Sequence, residues 1–152
     1  MPAAQRSARS RRMAGRFVIL AARFHAPLAT RLVEGATRAL RAAGVPPGRI
    51  RVIPVPGAFE LPVAAVRAAR GRPRPDAIIA VGALVRGQTP QYEVLAHAVA
   101  QGLTLVAVQT GIPITCGVIV AETMAQAASR AGGAVGNRGV EAAQAAVAMV
   151  QR

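Results

Sequence analysis

The chain of 152 residues is long enough to bury the core of one domain and too short for two. Its 53% content of hydrophobic residues excludes an intrinsically disordered chain. The 19 basic residues against six acidic ones give a formal net charge of +13, and every basic residue is Arg. Because the sequence has no Lys, it excludes a Walker-type phosphate loop and a Lys Schiff-base enzyme.

The high positive charge raises nucleic acid as a partner, but one Tyr, three Phe and no Trp leave few rings to stack on bases. Nucleic-acid binding therefore stays a minor alternative that would depend on the N-terminal Arg residues. The single Cys116 predicts neither an internal disulfide nor a metal site, and it is typical of a reducing compartment such as the cytoplasm. We predict no signal peptide and no membrane span, since polar residues and Pro113 interrupt the uncharged stretch between Glu93 and Glu122.

Residues 1–15 carry several Arg residues and no acid, which predicts a flexible tail ahead of a domain over 16–152. The basic positions are Arg6, Arg9, Arg11 and Arg12. Two other interpretations of this segment remain open. In one, translation starts at Met13 and the preceding residues are an extension. In the other, the tail captures an anionic partner electrostatically.

From Arg16 onward, apolar runs of strand length alternate with segments of helical spacing. The predicted strands are 17–21, 50–55, 77–85 and 114–120, and the predicted helices are 27–43, 59–70, 90–109, 122–131 and a last one capped by Asn137. Continuous apolar runs are typical of parallel strands that are covered on both faces. The sequence therefore predicts an α/β fold, a three-layer flavodoxin-like sandwich with a four-stranded parallel sheet flanked by helices.

Ligands in such sheets bind beyond the carboxyl ends of the strands, so the loops there are the candidate site. Phe24 and Phe59 each follow a strand, which predicts rings that stack on a flat heterocycle unless they pack beneath their loops. Glu60 either orients a polar ligand or complements a helix dipole. The segment 87–90 opens a helix and is suited to phosphate, although a simple helix entry capped by Thr89 is the plainer interpretation.

Arg130 and Arg138 bracket a Gly-rich connection over residues 131–137. We predict that this connection is flexible and lets either guanidinium group reach a phosphate. Arg residues in surface loops are common, so this feature alone does not identify a site.

Four short motifs, taken together and in order, resemble the lumazine synthase family. They are Ala22-Arg23-Phe24, the segment 55–60, Val85-Arg86-Gly87 with Thr89, and Arg130-Ala131-Gly132 followed by 136–139. The resemblance runs from about Arg16 to the end of the chain. It implies condensation of 5-amino-6-ribitylaminouracil with 3,4-dihydroxy-2-butanone 4-phosphate to 6,7-dimethyl-8-ribityllumazine, phosphate and water, without a cofactor. It also implies a homo-oligomer, either a pentamer or an icosahedral shell of pentamers, with each active site between adjacent subunits.

The resemblance implies a role for each matching residue. Phe24 stacks on the pyrimidine, and Leu84 and Val85 line the ring pocket. The ribityl chain is held by Ala58, Phe59 and Glu60. The phosphate is held by Gly87, Gln88 and Thr89 together with Arg130 of the neighbouring subunit, while Arg138 stands where the family usually has Lys.

Three departures from the family pattern affect the expected activity. Gln91 occupies the position of a proton-transferring His, which predicts a slow enzyme or, alternatively, a silenced member that binds ligands or forms shells. Cys116 replaces a Phe that covers the heterocycle from the neighbour, and the N-terminal segment lacks the apolar edge strand of many relatives. His25 is a candidate surrogate base because histidine titrates near neutrality. His97 lies six residues along the helix from Gln91, on a different face.

Overall fold

A parallel sheet of four strands forms the centre of the protein. The computed structural model describes residues 13–151, and its strands β1 (Phe17–Ala22), β2 (Ile50–Val55), β3 (Ala77–Val85) and β4 (Ile114–Ala121) lie in the order β2-β1-β3-β4. Every neighbouring pair is parallel. The predicted four-stranded sheet is therefore confirmed, with strand bounds within one residue of those expected.

Helices cover both faces of the sheet. On one face lie α1 (Ala26–Ala42) and α5 (Arg138–Gln151), and on the other lie α2 (Leu61–Ala69) and α3 (Gln91–Thr110). Alternate residues of β1 serve the two cores, with Ile19 in the α1/α5 core and Leu20 in the α2/α3 core. Both side chains are fully buried. This two-sided burial explains the unbroken apolar run and confirms the predicted three-layer fold.

Two predicted helices are shorter than expected. The segment predicted as a helix over 59–70 begins with a 3-10 turn, Ala58–Glu60, before α2. The segment predicted over 122–131 contains only α4 (Met124–Ser129), because Thr123 caps it by accepting a hydrogen bond from the Gln126 N–H at 3.1 Å.

The Gly-rich connection predicted to be flexible is instead a short antiparallel hairpin, β5 (Ala131–Gly133) with β6 (Gly136–Asn137). The N–H of Arg138 donates to the carbonyl of Arg130 at 2.9 Å and closes the hairpin at its base. Gly132 and Gly136 have φ values of 98° and 120°, which glycine adopts without strain. The prediction of a flexible connection was wrong because glycine here serves turn geometry.

Asn137 caps α5, as predicted. Its Oδ1 accepts hydrogen bonds from the N–H groups of Gly139 at 2.8 Å and Val140 at 3.2 Å, while its Nδ2 donates to the carbonyl of Arg31 at 3.2 Å. A Cβ at Gly139 would collide with the carbonyl of Leu32, so α1 and α5 are in close backbone contact. The bond from Asn137 to Arg31 and the close approach of Gly139 to Leu32 hold the end of the hairpin against α1.

The packed part of the chain starts before the predicted boundary at residue 16. Met13 is buried and its N–H donates to the carbonyl of Gly44 at 3.1 Å, so residues 13–15 belong to the domain. The prediction of a flexible tail over residues 1–12 lies outside the described residues. Over 13–151, none of the helices combines the length and the apolar character that crossing a bilayer requires.

Candidate functional site

A cavity of about 370 Å³ opens at the carboxyl ends of β1, β2 and β3. Carboxyl ends of parallel strands share one edge of the sheet, which is where ligands bind in this architecture. Ten residues that we selected from the sequence or the resemblance line this cavity. They are Phe24, His25, Ala58, Phe59, Glu60, Leu84, Val85, Gly87, Thr89 and Gln91.

Two phenyl rings stand exposed beside the cavity. The side chain of Phe24 is 80% exposed and that of Phe59 is 59% exposed, so neither packs beneath its loop. The ring of His25 meets that of Phe24 edge-on, with centroids 4.9 Å apart and an interplanar angle of 87°. A planar ligand that covers these rings gains the free energy of removing apolar surface from water.

The loops after β1 and β2 are held beside each other by the sheet itself. The N–H of Arg23 donates to the carbonyl of Val55 at 2.9 Å, which continues the strand pairing to the last residue before Phe24. Glu60 directly precedes α2 and makes no side-chain capping bond, so its position remains compatible with complementing the dipole of that helix. Its carboxylate lines the cavity, and a Cβ at Gly57 would lie 3.1 Å from its Oε2. A glycine at this turn therefore leaves room for the carboxylate.

The loop before α3 is exposed from Arg86 to Pro90. The helix is preceded by Pro90 without a side-chain cap, so the interpretation of Thr89 as a helix cap is wrong. Gly87 and Thr89 line the cavity, whereas Gln88 does not. The positive end of the helix dipole of α3 therefore faces a loop whose hydroxyl group lies at the cavity wall, an arrangement that favours an anion.

Two side chains from the first turn of α3 line the cavity, one of them exposed and the other buried. Gln91 is exposed at the cavity, while Tyr92 is buried and its hydroxyl donates to Glu93 Oε1 at 3.2 Å. Burial, followed by the neighbouring Glu93, raises the pKa of Tyr92 above its ordinary value of 10.0. Tyr92 thus stays protonated near neutral pH and cannot take up a proton there.

Three lining residues belong to none of the motifs or candidate residues taken from the sequence: Ala83, Tyr92 and Leu95. The fourth remaining one, Gly57, lies in the motif 55–60 but was given no role. Leu95 lies four residues after Gln91, one helical turn along the same face. Helical spacing from Gln91 was therefore the signal that would have identified it.

The remaining predicted site residues lie away from this cavity. Cys116 is exposed on the edge strand β4. The Nη1 of Arg130 donates to the carbonyl of Gln126 at 3.2 Å and to Ser129 Oγ at 3.3 Å, while Arg138 pairs with Glu141 at 2.6 Å. Like Gln88, none of these three lines the cavity, and His97 does not line it either. One chain therefore carries candidate residues both inside and outside this cavity.

Among residues 13–151, the acidic, His and Cys side chains form no cluster of three or more with the proximity a metal ion requires.

Comparison with known proteins gives the family. The family model for 6,7-dimethyl-8-ribityllumazine synthase matches residues 14–152. Proteins with that name from Halorhodospira halophila and Xanthomonas campestris are 43% and 45% identical to the chain, each over 89% of it, and the match covers 86% and 87% of those relatives. A relative with that name from Kineococcus radiotolerans is 47% identical over 89% of the chain and 83% of its own length. The chain therefore belongs to the 6,7-dimethyl-8-ribityllumazine synthase family.

Proposed function

We propose that this chain condenses 5-amino-6-ribitylaminouracil with 3,4-dihydroxy-2-butanone 4-phosphate to give 6,7-dimethyl-8-ribityllumazine, phosphate and water. The observation that carries the proposal is one cavity that collects Phe24, Phe59, Glu60 and Thr89 in a member of this family. The rings suit a flat heterocycle, the carboxylate suits a polyol, and the loop before α3 suits a phosphate.

The pyrimidine substrate would lie on the β1 and β3 side of the cavity. The exposed ring of Phe24 is the stacking surface, and the half-buried Leu84 and Val85 form an apolar wall. The ribityl chain would extend along the turn of Ala58 and Phe59. There the carboxylate of Glu60 would accept hydrogen bonds from the hydroxyl groups of the ribityl chain.

The phosphate of the second substrate would bind at the start of α3. The N–H group of Gly87 and the hydroxyl of Thr89 would be its donors, and the helix dipole would add favourable electrostatics. The resemblance also assigns Gln88 to the phosphate, although Gln88 does not line the cavity. Holding the phosphate here places the reacting ketone beside the pyrimidine amine, which lowers the entropic cost of their reaction.

A second subunit would complete each site. The resemblance assigns Arg130, Arg138 and Cys116 to the substrates, and all three lie outside the cavity of their own chain. A neighbouring copy would therefore have to bring them to the substrate. Bidentate guanidinium binding of phosphate is the expected contribution of Arg130. We therefore propose a homo-oligomer, a pentamer or an icosahedral shell of about sixty subunits.

The reaction would be slow because Gln91 cannot exchange a proton. His25 is the one His among the residues that line the same cavity, so we propose it as a partial substitute. His25→Asn is expected to lower kcat at least about tenfold and to change its pH dependence. An unchanged pH profile would remove His25 from the mechanism.

The direct test mixes the purified full-length protein with both substrates and follows the absorbance of the lumazine product. A rate above that of the protein-free mixture, lowered by Arg130→Ala, supports the proposal. Tight binding of the pyrimidine without any acceleration would instead identify a silenced family member.

We propose that the protein lies in the cytoplasm. The lone Cys116 is exposed and suits a reducing compartment. A cysteine-reactive label applied to intact and lysed cells tests this location, and labelling before lysis would contradict it.

A further inference from the structure

The positive charge of the chain is concentrated in its first third. Residues 1–51 contain eleven of the 19 Arg residues and one of the six acidic residues, Glu34. Four of these Arg residues lie in the N-terminal segment 1–12, which contains no acid. Charge of one sign on one part of a chain attracts partners of the opposite sign, polyanions above all.

Helix α1 carries a second group of Arg residues on its outer side. Arg31, Arg38 and Arg41 are exposed, whereas Leu32 and Leu40 of the same helix are fully buried. In an α-helix these three Arg positions lie within about 80° of one another around the axis and span about 15 Å along it. We call these three residues the α1 Arg row.

The guanidinium groups of the α1 Arg row are not engaged by the described part of the protein. Over residues 13–151, the one ion pair joins Arg138 to Glu141, so Glu34 pairs with no member of the row although it lies on the same helix. The side-chain hydrogen bonds of these residues that use a guanidinium group all involve Arg residues outside the row. The row therefore keeps its donors for an external anion, and guanidinium groups bind phosphate in a bidentate manner.

The N-terminal segment 1–12 joins the domain beside this row. The N–H of Met13 donates to the carbonyl of Gly44 at 3.1 Å, and Gly44 lies two residues after the end of α1. The last turn of α1 contains Arg41. Twelve residues span up to about 40 Å when extended, so the segment can contact a ligand that is bound to the row.

The chemistry of this surface favours a nucleic-acid backbone over a membrane or an acidic protein. Within residues 26–42, all of which the structure describes, α1 exposes no large apolar side chain. A helix that binds a membrane needs an exposed apolar face, and a stable protein interface needs an apolar or aromatic centre. Contacts to phosphate groups need neither of these features.

A duplex fits this surface better than a single strand does. Proteins bind single strands largely by stacking bases on aromatic rings, and neither 1–12 nor 26–42 contains Phe, Tyr or Trp. A DNA duplex carries one negative charge per about 1.7 Å of its axis, which gives a short row of Arg residues several phosphates within reach.

We infer that the α1 Arg row and the N-terminal segment 1–12 together bind a nucleic-acid duplex through its phosphates, without recognising its base sequence. Seven Arg residues take part, three from α1 and four from the segment. The inference is independent of the proposed condensation, because the α1 Arg row does not line the candidate active site.

The test titrates the full-length protein into a fluorescent DNA duplex of about 20 base pairs and measures anisotropy at several salt concentrations. Seven phosphate contacts predict a slope of about −6 for log K against log salt concentration. The affinity should therefore fall at least about 10³-fold between about 50 and 200 mM salt. A second duplex of unrelated sequence should bind with the same affinity to within about twofold.

Variants of the full-length chain locate the contacts. Replacing all four Arg residues of segment 1–12 with Gln should make the slope shallower by about four, and Arg38→Gln with Arg41→Gln should make it shallower by about two. The matched control, Arg67→Gln with Arg70→Gln, removes the same charge at the same spacing from the end of α2 on the other face of the sheet. It should change the slope by less than about 0.5.

The conservative pair Arg38→Lys with Arg41→Lys separates charge from folding. It keeps both positive charges, so its slope should equal that of the parent, whereas a general effect of substitution on the fold would lower it as much as the Gln pair does.

Four results would overturn the inference. They are no binding of duplex at about 50 mM salt, an equal change of slope in the α2 control, a preference of more than about tenfold between the two duplexes, and stronger competition, per charge, by poly-Glu or by vesicles of anionic lipid than by unlabelled duplex. The last result would assign the surface to a protein or a membrane instead.

Discussion

Replacing Gln91 with His should accelerate the proposed condensation, because an imidazole at this position can transfer a proton and the amide of Gln91 cannot. Gln91 is exposed in the first turn of α3 and lines the cavity beside Thr89 and Tyr92. Because the position is exposed, an imidazole displaces no packed side chain, and stability should change by no more than about 0.5 kcal/mol. Any change in rate then reports on chemistry rather than folding.

The expected size of the effect follows from the role of such a group. General acid-base catalysis contributes about 10² to 10⁴ in rate. We expect the lower end, about 10² or roughly 2.7 kcal/mol of transition-state stabilisation, since in the proposed site the loop before α3 and the exposed rings would already position the substrates.

The assay measures kcat from lumazine absorbance for the parent, Gln91→His and the matched control Gln91→Asn. The His variant alone should gain rate, and its pH dependence should differ from that of the parent and of Gln91→Asn. A kcat of Gln91→His equal to that of Gln91→Asn, with unchanged substrate affinity, would refute the reasoning.

Three further predictions concern the framework of the site. Asn137→Ala should lower the free energy of unfolding by about 2 kcal/mol through loss of the cap and of the bond to Arg31; a urea titration measures it, and a loss below about 0.5 kcal/mol would contradict this role. Gly139→Ala should lower Tm by several degrees, because the added Cβ meets the backbone of Leu32; an unchanged calorimetric Tm would show that the helices adjust. Tyr92 is the only tyrosine, so its ultraviolet titration should have a midpoint above 10.0. Because its folded pKa is raised, its contribution to stability is complete below pH 10.0 and is lost at higher pH, and Tyr92→Phe should abolish that loss.

Much of the fold could be predicted because its signals are local. The unbroken apolar run of β1 reflects burial on both faces, and Asn137 reads as a helix cap from its position alone. Phe24 and Phe59 were placed correctly at the edge of the sheet because parallel topology fixes where strands end.

The features that were missed depend on contacts between distant residues. The close approach of Gly139 to Leu32 and the hairpin between Arg130 and Arg138 arise from packing and turn geometry that composition does not reveal. A Gly-rich segment is compatible with either a flexible loop or tight turns, and only the surrounding structure decides between them.

The most direct test of the central claim, that each active site combines two subunits, is complementation between two inactive variants. Phe24→Ala damages the cavity and Arg130→Ala damages the contribution of the neighbour, so each protein alone should lose most activity. When the two are co-assembled in equal amounts, about a quarter of the sites should pair an intact cavity with an intact Arg130 across a head-to-tail interface. Recovery of about that fraction of the parent kcat is the predicted result. Activity of the mixture equal to the average of the two separate variants would contradict the shared site.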